Sequence, residues 1–136
     1  MKYFIIIAIF FQVNNTYAQM VGDTRSTILE LESSDPCETR SNVLLYCLQG
    51  QDRIIYTFNS NGYCGSIMKI TFVSRAKAEG ILANKLSSHK TKPYISGNKY
   101  TFFFGDSDMI TYSVDSDRQY GVFFYELVAN ADLLRE

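Results

Sequence analysis

The sequence predicts an α+β fold, an antiparallel sheet of about six strands with two main helices in the order αβββαβββ. Three observations carry that expectation. Runs of strand length rich in Tyr, Phe, Ile and Thr, such as residues 53–59 and 99–104, recur along the chain between turn residues. Two other stretches, residues 24–33 and 75–88, follow a capping hydroxyl and space their apolar residues for a helix. Each helix is followed by three strands, an order that stacks helices on one face of an antiparallel sheet.

The chain opens as an export signal. Lys2 supplies a positive charge, residues 3–11 are an unbroken apolar and aromatic run, and Thr16-Tyr17-Ala18 offers small residues for a signal peptidase. A membrane anchor would need roughly 20 apolar residues. This run is shorter and is followed by Gln12, Asn14, Asn15 and Thr16, which would lack hydrogen-bond partners in lipid. The first cysteine is Cys37, too distant from the cleavage point to carry a lipid. The expected organisation is therefore a signal peptide over residues 1–18 and a single small α+β domain over 19–136, secreted or periplasmic, with no membrane span after cleavage. Its 118 residues suffice for one core. Removing Lys2 leaves 12 basic against 14 acidic groups, a balance that argues against a nucleic-acid partner. Arg75, Lys77, Lys85, Lys90 and Lys92 flank one helix and read as its solvated face.

In chain order, Asp23 or Thr24 begins a short helix that carries Ile28, Leu29 and Leu31. Strands follow over residues 42–49, 53–59 and 63–73. Ser74 caps the second helix, which presents Ala78, Ile81, Leu82 and Leu86 on one side; Gly80 weakens it by about 1 kcal/mol. Strands over 99–104, 109–114 and 120–128 and a helical turn within 130–136 complete the chain. No internal repeat is evident.

Asn59-Ser60-Asn61-Gly62 reads as a type I turn closed by a left-handed glycine, a three-residue hairpin loop that sets Asn59 against Tyr63. Counting outward places Phe58 opposite Cys64, Tyr56 opposite Ser66 and Ile54 opposite Met68, all on one face. Three cysteines in an exported chain suggest one bridge and one spare thiol. A meander separates Cys47 from Cys64, whereas Cys37 precedes the first strand at the end where Val43, Phe58 and Cys64 should meet. The expected bridge is Cys37–Cys64, the alternative being three unpaired thiols in the core.

Catalytic chemistry finds little purchase. His89, the sole histidine, follows a helix and reads as an exposed loop residue rather than a general base. Cysteine and histidine spacings match no zinc site, Gly62-Tyr63-Cys64-Gly65-Ser66 is not a nucleophile elbow, and phosphate-binding glycine loops are missing, so no cofactor or metal is expected. Asp106 and Asp108, and Asp115 and Asp117, alternate carboxylates in two loops, which is turn chemistry first and calcium chemistry second. The aromatic triplets are more informative. Phe102-Phe103-Phe104 and Phe123-Phe124-Tyr125 make both faces of the later strands apolar, and there are too few helical residues to cover two faces. Either loops and the N-terminal helix fold over the second face, the reading favoured because Tyr and Phe simply suit strands, or Phe103, Phe123 and Tyr125 are left as candidates for an exposed binding face.

Gly22-Asp23-Thr24-Arg25-Ser26-Thr27-Ile28, then Asp35-Pro36, a strand pair and Phe58-Asn59-Ser60-Asn61-Gly62 resemble the helix-plus-hairpin module of small outer-membrane-assembly lipoproteins and β-lactamase-inhibitor-protein-like domains. The resemblance covers residues 22–73 and implies a protein that binds other proteins and catalyses nothing. The whole chain is also similar to small exported bacterial proteins. The functional expectation is a non-enzymatic module of the periplasm or envelope that binds a protein, peptide or envelope component. The alternative is a small exported hydrolase whose site no linear motif reveals.

Overall fold

The computed structural model describes residues 20–136, so the expected export signal lies outside the described residues. The chain runs α1 (Arg25–Leu31), β1 (Glu38–Arg40), β2 (Val43–Cys47), β3 (Arg53–Phe58), β4 (Cys64–Phe72), α2 (Arg75–Ser87), β5 (Tyr94–Ser96), β6 (Lys99–Phe104), β7 (Asp108–Asp117), β8 (Gly121–Asn130) and α3 (Ala131–Arg135). All eight strands form one antiparallel sheet in the order β1-β2-β3-β4-β8-β7-β6-β5.

The expected six strands and two main helices are thus corrected to eight strands and three helices among the described residues. The two added strands, β1 and β5, are the outer edges of the sheet, three residues each, with every residue exposed. Three residues hold a single alternation, and an edge strand with no buried residue leaves no hydrophobic pattern to read. The helix starts follow the capping rule: the Thr24 side chain accepts from the Thr27 N–H, Ser74 from Lys77 and Asn130 from Leu133.

With the edges included, the topology repeats although the sequence does not. Each half is a helix followed by a four-stranded meander, and the halves join where β4 pairs with β8. Lys69 and Glu126 are the middle pair of that seam, which runs from Ser66 opposite Ala129 to Phe72 opposite Phe123.

Two cores follow from this arrangement. One gathers Ile28 of α1 with Leu44, Tyr46, Ile54, Tyr56, Phe58 and Ile67. The other gathers Ala78 of α2 with Phe102, Tyr112 and Phe124, and Ile81, Leu82 and Leu86 pack against it. In the first core the Tyr56 hydroxyl donates to the Glu32 carboxylate, and Tyr46 meets the Tyr56 ring edge-on.

The β3–β4 hairpin shows why register mattered. Asn59 N–H donates to the Tyr63 carbonyl, Asn59 Oδ1 accepts from the Asn61 and Tyr63 N–H groups, and Gly62 takes a φ of 84°. Phe58 lies opposite Cys64, as the three-residue loop requires. Beyond that pair the register shifts. Tyr56 faces Ile67 rather than Ser66, and Ile54 faces Lys69 rather than Met68. Gly65 occupies the irregularity, and a Cβ there would stand 2.9 Å from Leu134 Cδ2 of α3. One extra residue reverses the facing of everything after it. Ile67 turns into the core, and Met68, Ile70 and Phe72 turn to the other face.

The expected Cys37–Cys64 bridge is also corrected. Cys37 is bonded to Cys47, with Cα atoms 5.8 Å apart, and Cys64 is free and buried. The cause is β1, which pairs back along β2 with Glu38 opposite Leu45. Cys37 is thereby carried to the Cys47 end of β2, away from the hairpin that holds Cys64. Burial pushes the Cys64 thiol up to about 12, against a lowering by the Ser66 backbone and a further rise from Asp23. Only a minute thiolate fraction then exists at pH 8. Iodoacetamide at pH 8 should leave the native, oxidised protein at its unmodified mass and add one carbamidomethyl group after unfolding. Rapid native alkylation would mean that the thiol is accessible.

Candidate binding face

Cross-strand partners share a face, so the register assigns every strand side chain. Leu44, Tyr56, Ile67, Val128, Ile110 and Phe102 are successive partners from β2 to β6, and they belong to the two helix-covered cores or connect them. α1 and α2 therefore lie on the same face. Neither α1 nor α2 covers the opposite face, on which the small side chains of Thr111, Ser113 and Ala129 are nonetheless buried.

Across that open face runs a second row of successive partners: Leu45, Ile55, Met68, Leu127, Thr111 and Thr101, continued on β5 by Tyr94. Seven strands at nearly 5 Å spacing give it a length of about 29 Å. At one end of the strands an aromatic group stands on the same face. Phe72 approaches Tyr120 and Phe123 with ring centroids 5.9 and 5.4 Å apart, and Tyr125 follows Phe123 on β8. Cations border this group, with the Arg53 guanidinium 6.0 Å from the Tyr120 ring and Lys99 Nζ 5.8 Å from the Tyr125 ring. Burial, with a smaller contribution from Asp115, holds the Tyr125 hydroxyl above its ordinary pKa.

The three residues expected on a binding face, Phe103, Phe123 and Tyr125, do share this open face. They do not form one patch. Phe123 and Tyr125 belong to the aromatic group, whereas Phe103 pairs with Met109 at the other end of β6 and is 62% exposed. Its apolar neighbour across the edge is Tyr94, 66% exposed. Sequence reasoning missed Phe72, Met68 and Ile70 because their facing depends on the irregularity at Gly65. Tyr94 was missed with its strand.

The remaining candidates resolve into structural roles. His89, expected to be exposed, is half-buried: its ring stacks on Phe102 at 4.0 Å and its Nε2 lies 2.9 Å from the Tyr112 hydroxyl. Burial first, then Lys85, lowers its pKa, against Glu126. Tyr112 is raised by burial and by Glu126. This pair closes the end of α2 over the second core. Glu126 itself receives Lys85 at 3.7 Å, so that lysine ties α2 to β8 rather than being merely solvated.

The paired carboxylates sit at the two ends of β7 and the turns beside it. Asp108 accepts from Asn130, Asp115 accepts from Asn98 and Ser113, and Asp117 accepts from the Gln119 and Tyr120 N–H groups. Among the described residues no group of three or more His, Cys, Asp or Glu side chains could hold a metal ion. No helix among them is long and apolar enough to cross a membrane. Comparison of the chain with protein-family models, curated proteins and solved structures found no match.

Proposed function

We propose that this protein is a non-enzymatic, exported binding module that holds a protein, peptide or envelope component against the open face of its sheet. One observation carries the reading: α1 and α2 lie on one face, leaving a mostly apolar row and a half-exposed aromatic group on the other. Aromatic side chains and Arg are enriched at protein interfaces, and Tyr120 of this group is 41% exposed with Arg53 beside it. The Cys37–Cys47 bond supports the exported setting, because such bonds persist in oxidising compartments. The likeness of residues 22–73 to modules that bind proteins supports the same reading. A hydrolase would need carboxylates converging in a cleft, and Asp115 and Asp117 are instead engaged in turn and strand-end hydrogen bonds.

The test is affinity capture from the native envelope with the chain from Gln19 onward, run beside Phe103→Ser and Phe123→Ser. Both variants should keep the circular dichroism of the parent and lose at least tenfold in retained partner, since truncated interface anchors commonly cost 2 kcal/mol or more, roughly. Retention of the same partners by both folded variants would refute the open-face assignment. Loss of folding in both would make the face part of the core.

A further inference from the structure

The end of α2 is fastened to the sheet by groups that titrate. Of its own side chains only Ala78 is fully buried, and Ile81, Leu82 and Leu86 are partly so. Two polar contacts supplement them at the C-terminal end. Lys85 reaches Glu126 of β8 at 3.7 Å, and His89, just past the helix, sets Nε2 2.9 Å from the Tyr112 hydroxyl of β7 while its ring lies on Phe102 of β6.

The second contact depends on the protonation state of the imidazole. Tyr112 is 3% exposed, burial holds its pKa above the ordinary value, and His89 is the one hydrogen-bond partner of its hydroxyl among the described residues. The phenol therefore keeps its proton and donates a hydrogen bond to a neutral Nε2, which places the imidazole's own proton on Nδ1. Once His89 is protonated, both ring nitrogens are donors. The Tyr112 oxygen can then accept, but its buried O–H is left without an acceptor, and an orphaned buried donor is costly.

Charge acts in the same direction. Lys85 lies four residues before His89, so a second cation at that end of α2 is repelled, and Lys90 and Lys92 follow in the exposed turn. Glu126, the carbonyl end of α2 and the Phe102 ring favour an imidazolium, but Glu126 is already engaged by Lys85. Phe104, the other β6 ring against His89, carries no charge. The balance falls on the side of the neutral form: burial first, then Lys85, hold the His89 pKa below 6.5 against Glu126. A base with a lowered pKa in the folded state contributes stability above its ordinary pKa and loses it as the pH falls.

We infer that His89 is an acid-released latch, whose protonation frees the last turn of α2 and bares Phe102 and Tyr112 beside the exposed Phe104. The latch lies on the helix-bearing face and does not rest on the open-face reading. α1 has no counterpart to it, because His89 is the only histidine in the chain.

The experiment follows the His89 ring protons and the amide exchange of residues 84–88 by nuclear magnetic resonance between pH 7.5 and 4.5, with each exchange rate divided by that of an unfolded chain at the same pH. His89 should titrate with a midpoint below 6.5, and protection of residues 84–88 should fall about tenfold over the same interval, as an orphaned buried donor implies. Protection at Ile28 of α1 should not follow it. His89→Gln, whose amide oxygen can accept from Tyr112 at every pH, should keep the protection of residues 84–88 level. Tyr112→Phe, with no hydroxyl to orphan, should bring the His89 midpoint closer to 6.5. Where either variant fails to fold, the titration and exchange of the parent protein decide. A midpoint at or above 6.5, protection unchanged while His89 titrates, an equal fall in α1, or the same pH dependence in folded His89→Gln would each overturn the inference.

Discussion

Phe102→Ala is expected to destabilise the protein by about 3–5 kcal/mol, while Phe103→Ala one residue away costs less than about 1 kcal/mol. Phe102 is 1% exposed in the second core, stacked on His89 and edge-on to Tyr112, with Phe124 and Ala78 of α2 in the same cluster. Around it pack Ala78, Tyr112, Phe124 and seven partly buried apolar side chains, whose relaxation closes such a cavity only in part. Truncation also removes the surface that seats His89, and with it the contact holding the end of α2 to the sheet. Phe103 points to the uncovered face and surrenders little. Urea titrations at pH 7 would measure both midpoints, with unchanged slopes securing the comparison. A Phe103→Ala loss matching that of Phe102→Ala would show that the open face is buried.

Replacing Cys37 and Cys47 together by Ser is expected to cost about 2–3 kcal/mol, as the chain-entropy relation gives for a loop of this size. The bridge spans a separation of 10 residues and ties β1 to β2. β1 has no buried residue and borders the sheet, so its three paired positions are its main other hold on the fold. The doubly substituted chain should therefore lose amide protection at Glu38–Arg40 first, while α1 and β3 retain theirs. Hydrogen exchange read by mass spectrometry checks the order of loss, and peptide mapping without reductant checks the partner. A Cys37–Cys64 peptide would contradict the pairing of β1 along β2.

Individual elements were legible from local chemistry, but the number of strands and the order of elements were not. The caps Thr24 and Ser74, the turn at Asn59 to Gly62 and the apolar side of α2 are all settled by residues within one turn or hairpin of each other. What failed depended on distant structure. The irregularity at Gly65 is accommodated by Leu134, some seventy residues later, and it alone decides that Met68 and Phe72 join the open face. β1 and β5 exist because neighbouring strands offer them hydrogen bonds, not because their own residues alternate. The cysteine pairing inherited the first of those omissions. His89 was misplaced because the chain after α2 turns back over Phe102, a contact no spacing announces.

The seam between the halves also has a consequence for the order of assembly. Within each half, consecutive strands are hairpin neighbours, whereas β4 and β8 join residues between 51 and 63 positions apart. Closing so long a loop is entropically costly before the contacts reward it, so the two meanders form early and their union comes late. Until then both β4 and β8 present unpaired edges rich in Ile, Phe and Val. Those edges match each other equally well between two molecules, with α2 and the segment after it as the connector. Crowded refolding therefore favours exchanged dimers in which each sheet is completed by the other chain's second half, and dilution favours the monomer.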